Sequence, residues 1–135
     1  MKDNVNVIAV LNNMKNKLLM CKRRNNPYQG LLNLVGGKIE PHEASFNAAH
    51  RELFEETSIT ENDIKLHYLM DFNYYLFDIR LEVYFGVLNK DFFVHGDENE
   101  LIWIDLNEDF FDMKRFAGEG NIGHIMAHVK SYYHI

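Results

Sequence analysis

The sequence predicts an α/β fold in which one helix is set between strands that pair mostly antiparallel. Three observations predict it. In Ile79 to Leu88 the apolar Ile79, Leu81, Val83, Phe85 and Val87 alternate with Arg80, Glu82 and Tyr84, the period of a strand with one buried face. From Glu43 to Glu56 there is no Gly or Pro, and Phe46, Ala49 and Leu53 recur at helical spacing. Short apolar runs bounded by turn residues lie on both sides of that segment. A helix placed among such strands points to a layered sandwich.

Taken in order, Val5 to Leu11 and Lys17 to Lys22 read as strands joined by the polar turn Asn12 to Asn16. Arg23 to Gln29 reads as a polar loop carrying Pro27. Leu31 to Val35 is a short strand, and Gly36-Gly37 is expected to end it in a turn. The helix follows, with Pro41 and Glu43 near its start, where a missing N–H is harmless and an acid suits the dipole. Ile64 to Tyr75 and Ile79 to Leu88 read as a long antiparallel pair. Leu101 to Ile104 is a further strand, and Ile122 to Tyr132 a closing helix. With 135 residues and no Ser- or Gly-rich linker, residues 1–135 are expected to form one domain.

Composition narrows the function. Lys and Arg total 14 against 20 Asp and Glu, a net charge of −6. Such a field repels a nucleic-acid polymer, and it repels a free polyphosphate unless bound cations reverse its sign locally. Cys21 is the single cysteine, so no disulfide within the chain and no cysteine-based zinc site can form. That suits a reducing cytoplasmic setting. No segment reads as a secretory leader or a membrane span.

The chemistry concentrates between Gly36 and Glu56. Glu52, Glu55 and Glu56 stand at i, i+3 and i+4, so a helix places them on one face, away from Phe46, Ala49 and Leu53. Like charges so close destabilise a helix by a few tenths of a kcal/mol per pair, which an oxygen-seeking cation such as Mg²⁺ or Mn²⁺ would offset. Three glutamates on a helix are more often a solvated face, with Arg51 paired to Glu55. The glycine pair just ahead argues against that plainer reading, because it lets the backbone approach a ligand closely.

From Gly37, five residues lead to Glu43, and seven more lead to Arg51-Glu52-Leu53-Phe54-Glu55-Glu56. This arrangement resembles the Nudix box of the Nudix hydrolase superfamily, and the chain is similar to its MutT-like nucleoside-triphosphate pyrophosphatases. The box closes on a glycine; here Ser58 stands in that place. The resemblance implies a Nudix-like α/β/α sandwich with a mixed central sheet. It implies that Glu52, Glu55 and Glu56, with the Gly36 carbonyl, ligate Mg²⁺ or Mn²⁺, and that Glu43 and Arg51 orient the cluster. A further acid is expected from the loop before Trp103, Glu98 first and Glu100 second. Glu52 is the expected general base, with Glu55, Glu43 or Glu98 as alternatives. Gly37 and Lys38 are expected beside a substrate phosphate.

The box marks a bond type, a diphosphate linkage, and says little about what flanks it. Asn33 and Asn121 match places where enzymes of this resemblance read a purine base, and an amide offers both donor and acceptor. A turn role for Asn33 and a helix cap for Asn121 are the plain alternatives. Phe72, Tyr74 or Tyr75 could stack on a base. The expected substrate is a nucleoside triphosphate such as 8-oxo-dGTP, cleaved to monophosphate and pyrophosphate. The alternatives are ADP-ribose, a dinucleoside polyphosphate, or nucleotide binding without cleavage. His124 and His128, at i and i+4, could bind metal, although packing or solvation is the commoner role. A small-molecule nucleotide is the expected partner, with neither nucleic-acid polymer nor membrane, and a homodimer is the expected assembly.

Overall fold

The computed structural model describes residues 1–96 and 98–135. Its strands are β1 (Asp3–Leu11), β2 (Lys17–Lys22), β3 (Leu32–Lys38), β4 (His67–Tyr74), β5 (Ile79–Val87) and β6 (Glu100–Asp105); its helices are α1 (Ser45–Thr57) and α2 (Asn121–Tyr133). Six strands form one sheet in the order β4-β5-β1-β3-β2-β6. β1 and β5 run parallel, and every other neighbouring pair is antiparallel. The sheet is therefore mixed.

Its two faces carry two cores. Ala9, Leu11, Leu18, Met20, Val83 and Phe85 pack with Ile122, Ile125, Met126 and Val129 of α2. The alternate residues Ile8, Val10, Leu19, Cys21, Val35 and Tyr84 pack with Ala49 and Leu53 of α1. Successive side chains of a strand point to opposite faces, so a strand covered on both sides buries consecutive residues. The helices thus flank the sheet, giving an α/β/α sandwich. Among the described residues, no helix is long and apolar enough to cross a membrane.

Several expectations are corrected by packing. Tyr84 is buried, because β5 lies inside the sheet with a helix over each face near its end. Phe46 is 46% exposed and does not belong to the buried side of α1, which is made by Ala48, Ala49 and Leu53. Gly36-Gly37 does not end β3 in a turn: the strand runs on to Lys38, with Gly36 opposite Val7 and Gly37 opposite Asn6. The β4–β5 hairpin closes through a 3₁₀ turn, Tyr75–Phe77, so Tyr75 leaves the strand, and Ile64 makes only an isolated bridge to Leu88.

Candidate active site

Helix α1 begins at Ser45, two residues after the expected Glu43. Glu43 precedes it, in a turn where its own N–H donates to the Glu40 carbonyl. Its carboxylate accepts from the Glu40 N–H at 2.9 Å and from Arg51, Nε at 3.0 Å and Nη2 at 2.5 Å. That forked contact holds the Glu43 carboxyl down at about 2. Arg51 also reaches Glu52 at 3.0 Å, Glu55 at 3.2 Å and the Lys38 carbonyl at 3.1 Å. One guanidinium thereby fixes three carboxylates and the end of β3.

Glu52, Glu55, Glu56 and Glu98 line a single cavity of about 190 Å³. Glu55 is the outer member, its side chain 56% exposed. Burial pushes Glu52 above its ordinary range, against the pull of Arg51. Burial pushes Glu56 further, to about 7; the Gly36 N–H, donating at 3.3 Å, opposes this, while Glu52 and Glu98 add repulsion. Glu98 is thus the loop acid that reaches the cluster. Glu100 opens β6 opposite Lys22 and is not a lining residue. Asp97 lies outside the described residues.

The glycines explain how the carboxylates come so close to β3. A Cβ on Gly37 would overlap the Glu52 carboxyl, so the absent side chain is the space that carboxyl occupies. Gly36, at φ 150°, would place a Cβ against the Asn6 carbonyl of β1. Its N–H faces Glu56, and it does not line the cavity itself. Lys38 ion-pairs with Asp3 at 3.2 Å and lines neither this cavity nor the next.

Among the described residues, no three metal-ligating side chains are already drawn into a closed cage. The donor set nevertheless fits a hard divalent cation. All four side chains offer oxygen, they share one cavity, and the inner two are disfavoured as anions when no cation is beside them.

A second cavity, of about 280 Å³, is mostly apolar, with Val7, Leu81, Ile122 and Ile125 as floor. Both expected base readers line it, Asn33 from β3 and Asn121 from the first position of α2. The cap position of α2 is Gly120, not Asn121. Asn33 Oδ1 accepts the Leu34 N–H at 2.8 Å, which leaves its amide NH₂ as the group on offer. Of the three proposed stacking residues only Tyr74 lines the cavity; Phe72 packs on the core and Tyr75 is 77% exposed. Tyr28, Phe77 and Arg23 line it too and were not singled out from sequence. A cavity side chain drawn from a polar loop carries no periodic signal; an aromatic and an arginine in one short polar loop were the available hint. His124 is exposed against Phe111, with ring centres 5.0 Å apart, and His128 is exposed, as packing and solvation predict.

One cavity takes its acids from α1 and the loop before β6, the other its lining from the sheet and the start of α2. The chain matches the NUDIX domain over residues 2–121, and it belongs to that family. Ser58 fills the box's last glycine position in left-handed geometry, φ 71°, with its N–H on the Phe54 carbonyl. An ADP-ribose pyrophosphatase of Methanocaldococcus jannaschii is 46% identical over 44 residues, 33% of this chain and 26% of that enzyme, so the match spans about a quarter of its length. The fold is shared with a Caenorhabditis elegans Ap4A hydrolase in a binary complex (TM-score 0.79, 16% identity, 98% of each chain). It is shared as well with the NUDIX domain of Shewanella oneidensis NrtR complexed with ADP ribose (TM-score 0.75, 15% identity, 98% of this chain and 89% of that one).

Proposed function

We propose that the chain hydrolyses a diphosphate linkage in a nucleoside-diphosphate compound, with Mg²⁺ or Mn²⁺ held by Glu52, Glu55, Glu56 and Glu98. The observation that carries this reading is the convergence of those four carboxylates on one cavity. When bound, the cation supplies charge neutralisation at the phosphoryl oxygens and a more acidic water. Glu52 would serve as the general base in this reading, its carboxyl lying against Gly37 in the cavity it shares with Glu55, Glu56 and Glu98. Glu43 is a poor base, since Arg51 holds it ionised far below neutrality. Its part, with Arg51, is to keep Glu52 and Glu55 in one rotamer each.

The apolar cavity, at about 280 Å³, is near the low end of the ~300–1,000 Å³ usual for ligand sites, room for one base. Asn33 and Asn121 together support a purine nucleotide, with 8-oxo-dGTP as the finer expectation. The archaeal relative supports ADP-ribose as a second reading. Residues 1–135 act as one domain in both readings: the family match stops at 121, yet α2 beyond it completes the second cavity. The test is a panel of 8-oxo-dGTP, dGTP, ADP-ribose and Ap4A with Mg²⁺, Mn²⁺ or EDTA, the nucleotide products being separated by anion-exchange chromatography. Turnover with either metal and none in EDTA is expected; full turnover in EDTA would sink the metal reading.

A further inference from the structure

The wall of the apolar cavity is assembled from three chain segments that no strand ladder joins. Tyr28 comes from the loop after β2, Tyr74 and Phe77 from the tip of the β4–β5 hairpin, and Gly118 from the turn before α2. Tyr28 ties them. Its hydroxyl donates to Glu119 at 2.5 Å and accepts from the Tyr74 hydroxyl at 2.7 Å. The Tyr28 and Tyr74 rings each meet the Phe77 edge, with centres 5.5 Å apart. Glu119 itself is exposed and does not line the cavity, so it acts only through Tyr28.

The loop that carries Tyr28 also touches the other cavity. Arg23 is the only cation among the described residues lining the apolar site, and its Nε is held by the Pro27 carbonyl at 2.8 Å, leaving the two Nη groups unused by that bond. One residue on, the Arg24 N–H donates to Asn99 at 3.4 Å, and Asn99 lines the carboxylate cavity beside Glu98. The turn is stiffened internally by Gly30 N–H to the Arg23 carbonyl at 2.8 Å and Leu31 N–H to the Tyr28 carbonyl at 2.9 Å. Tyr28, Arg23 and Arg24 thus belong to one internally hydrogen-bonded turn.

We propose that Glu119, acting through Tyr28, is a positioning residue that couples docking of a base in the apolar cavity to placement of the 23–31 turn, and with it Arg23, toward the carboxylate cavity. This rests on the base-binding reading above. Binding energy from a part of the substrate that does not react is thereby used where the bond breaks, so loss of the coupling lowers turnover as well as affinity. Arg23 presents a planar donor fork suited to a phosphate.

The test uses wild type, Glu119→Ala, Glu119→Gln and Tyr28→Phe. Calorimetry measures binding of GMP, AMP and ribose 5-phosphate, and kinetics give kcat and KM on the best nucleotide of the panel. Base-dependent affinity is expected in the wild type, with both nucleotides or one of them binding better than ribose 5-phosphate. Glu119→Ala should weaken that nucleotide about tenfold and lower kcat, with ribose 5-phosphate unchanged. Glu119→Gln, whose amide oxygen still accepts, should restore most of it, and Tyr28→Phe should match Glu119→Ala. Thermal melts check that each variant folds, and an exposed Glu119 makes that the expected result. If base-dependent binding is present but Glu119→Ala keeps wild-type affinity and kcat, the coupling is wrong and the base site stands. If ribose 5-phosphate binds the wild type as well as both nucleotides, the base site itself falls, and the coupling with it.

Discussion

The two cavities are built in opposite ways. The carboxylate cavity draws three of its four acids from one helix, with Gly36 and Gly37 of β3 set against Glu56 and Glu52. The apolar cavity draws its lining from β1, the loop after β2, β3, the β4–β5 hairpin and the start of α2. One is a local object, the other a product of topology. A local constellation imposes spacing on the sequence, whereas a dispersed one imposes only residue type at unconnected places. The same contrast divides their energetics: the first concentrates like charge at the expense of stability, and the second is ordinary apolar packing with a few amides set in it.

The largest effect should come from breaking the charged side. Glu56→Gln keeps shape but removes a half-buried carboxylate from the cavity. Activity should fall at least ~100-fold, the scale of losing one electrostatic contact to a reacting phosphoryl group. The metal-free fold should not suffer, since the lost charge was held against burial and the repulsion of Glu52 and Glu98. Wild-type turnover in Glu56→Gln, measured at saturating Mg²⁺, would make Glu56 structural only.

The pH dependence of the metal-free protein should be next in size. The folded Glu56 titrates at about 7 against an ordinary 4.5, so the fold binds its proton more tightly than the unfolded chain does. Its contribution is full below pH 4.5 and is lost as pH rises through 7, by at most about 3 kcal/mol. Glu43 has the opposite sign: held at about 2, it contributes above pH 4.5 and is lost on acidification through 2. Urea midpoints in EDTA from pH 4.5 to 8 should therefore decline in the wild type relative to Glu56→Gln. Parallel curves would show that Glu56 meets no desolvation cost.

What could be read from sequence follows the same division. The spacing of Glu52, Glu55 and Glu56 placed them on one face, and the distance from Gly37 to Glu43 and Arg51 carried the family resemblance. The alternation in β5 located a strand, and its antiparallel partner β4 was legible beside it, but the parallel neighbour β1 and the helix above were not, so the cover over Tyr84 escaped: burial on the second face depends on where α1 packs. Phe46 was misplaced for a related reason, since helical spacing alone admits several faces and Ala48 takes the inner one. Gly36-Gly37 reads as a turn because paired glycines usually mark one, and only the register against Asn6 and Val7 shows a strand. Tyr28, Arg23 and Glu119 were out of reach, because their meeting depends on the order of strands and on two unrelated loops.

The smallest expected effect lies on the apolar side, and it bears most directly on the substrate. Asn33 has a second duty, accepting the Leu34 N–H, so its loss would disturb β3 as well as any base contact. Asn121 stands at the first position of α2 while Gly120 holds the cap, so Asn121→Ala leaves the capping geometry in place. A site built to hydrogen-bond one base edge rejects others because buried polar atoms are left unpaired, at roughly 1–3 kcal/mol each. Removing one such amide should flatten the ranking among 8-oxo-dGTP, dGTP and ADP-ribose by about tenfold in kcat/KM, with metal dependence untouched. The comparison needs one Mg²⁺ concentration and both proteins on all three substrates. An unchanged ranking would show that Asn121 reads no base and that the apolar cavity selects by shape alone. A change in metal requirement would show instead that the two cavities are less separate than their construction suggests.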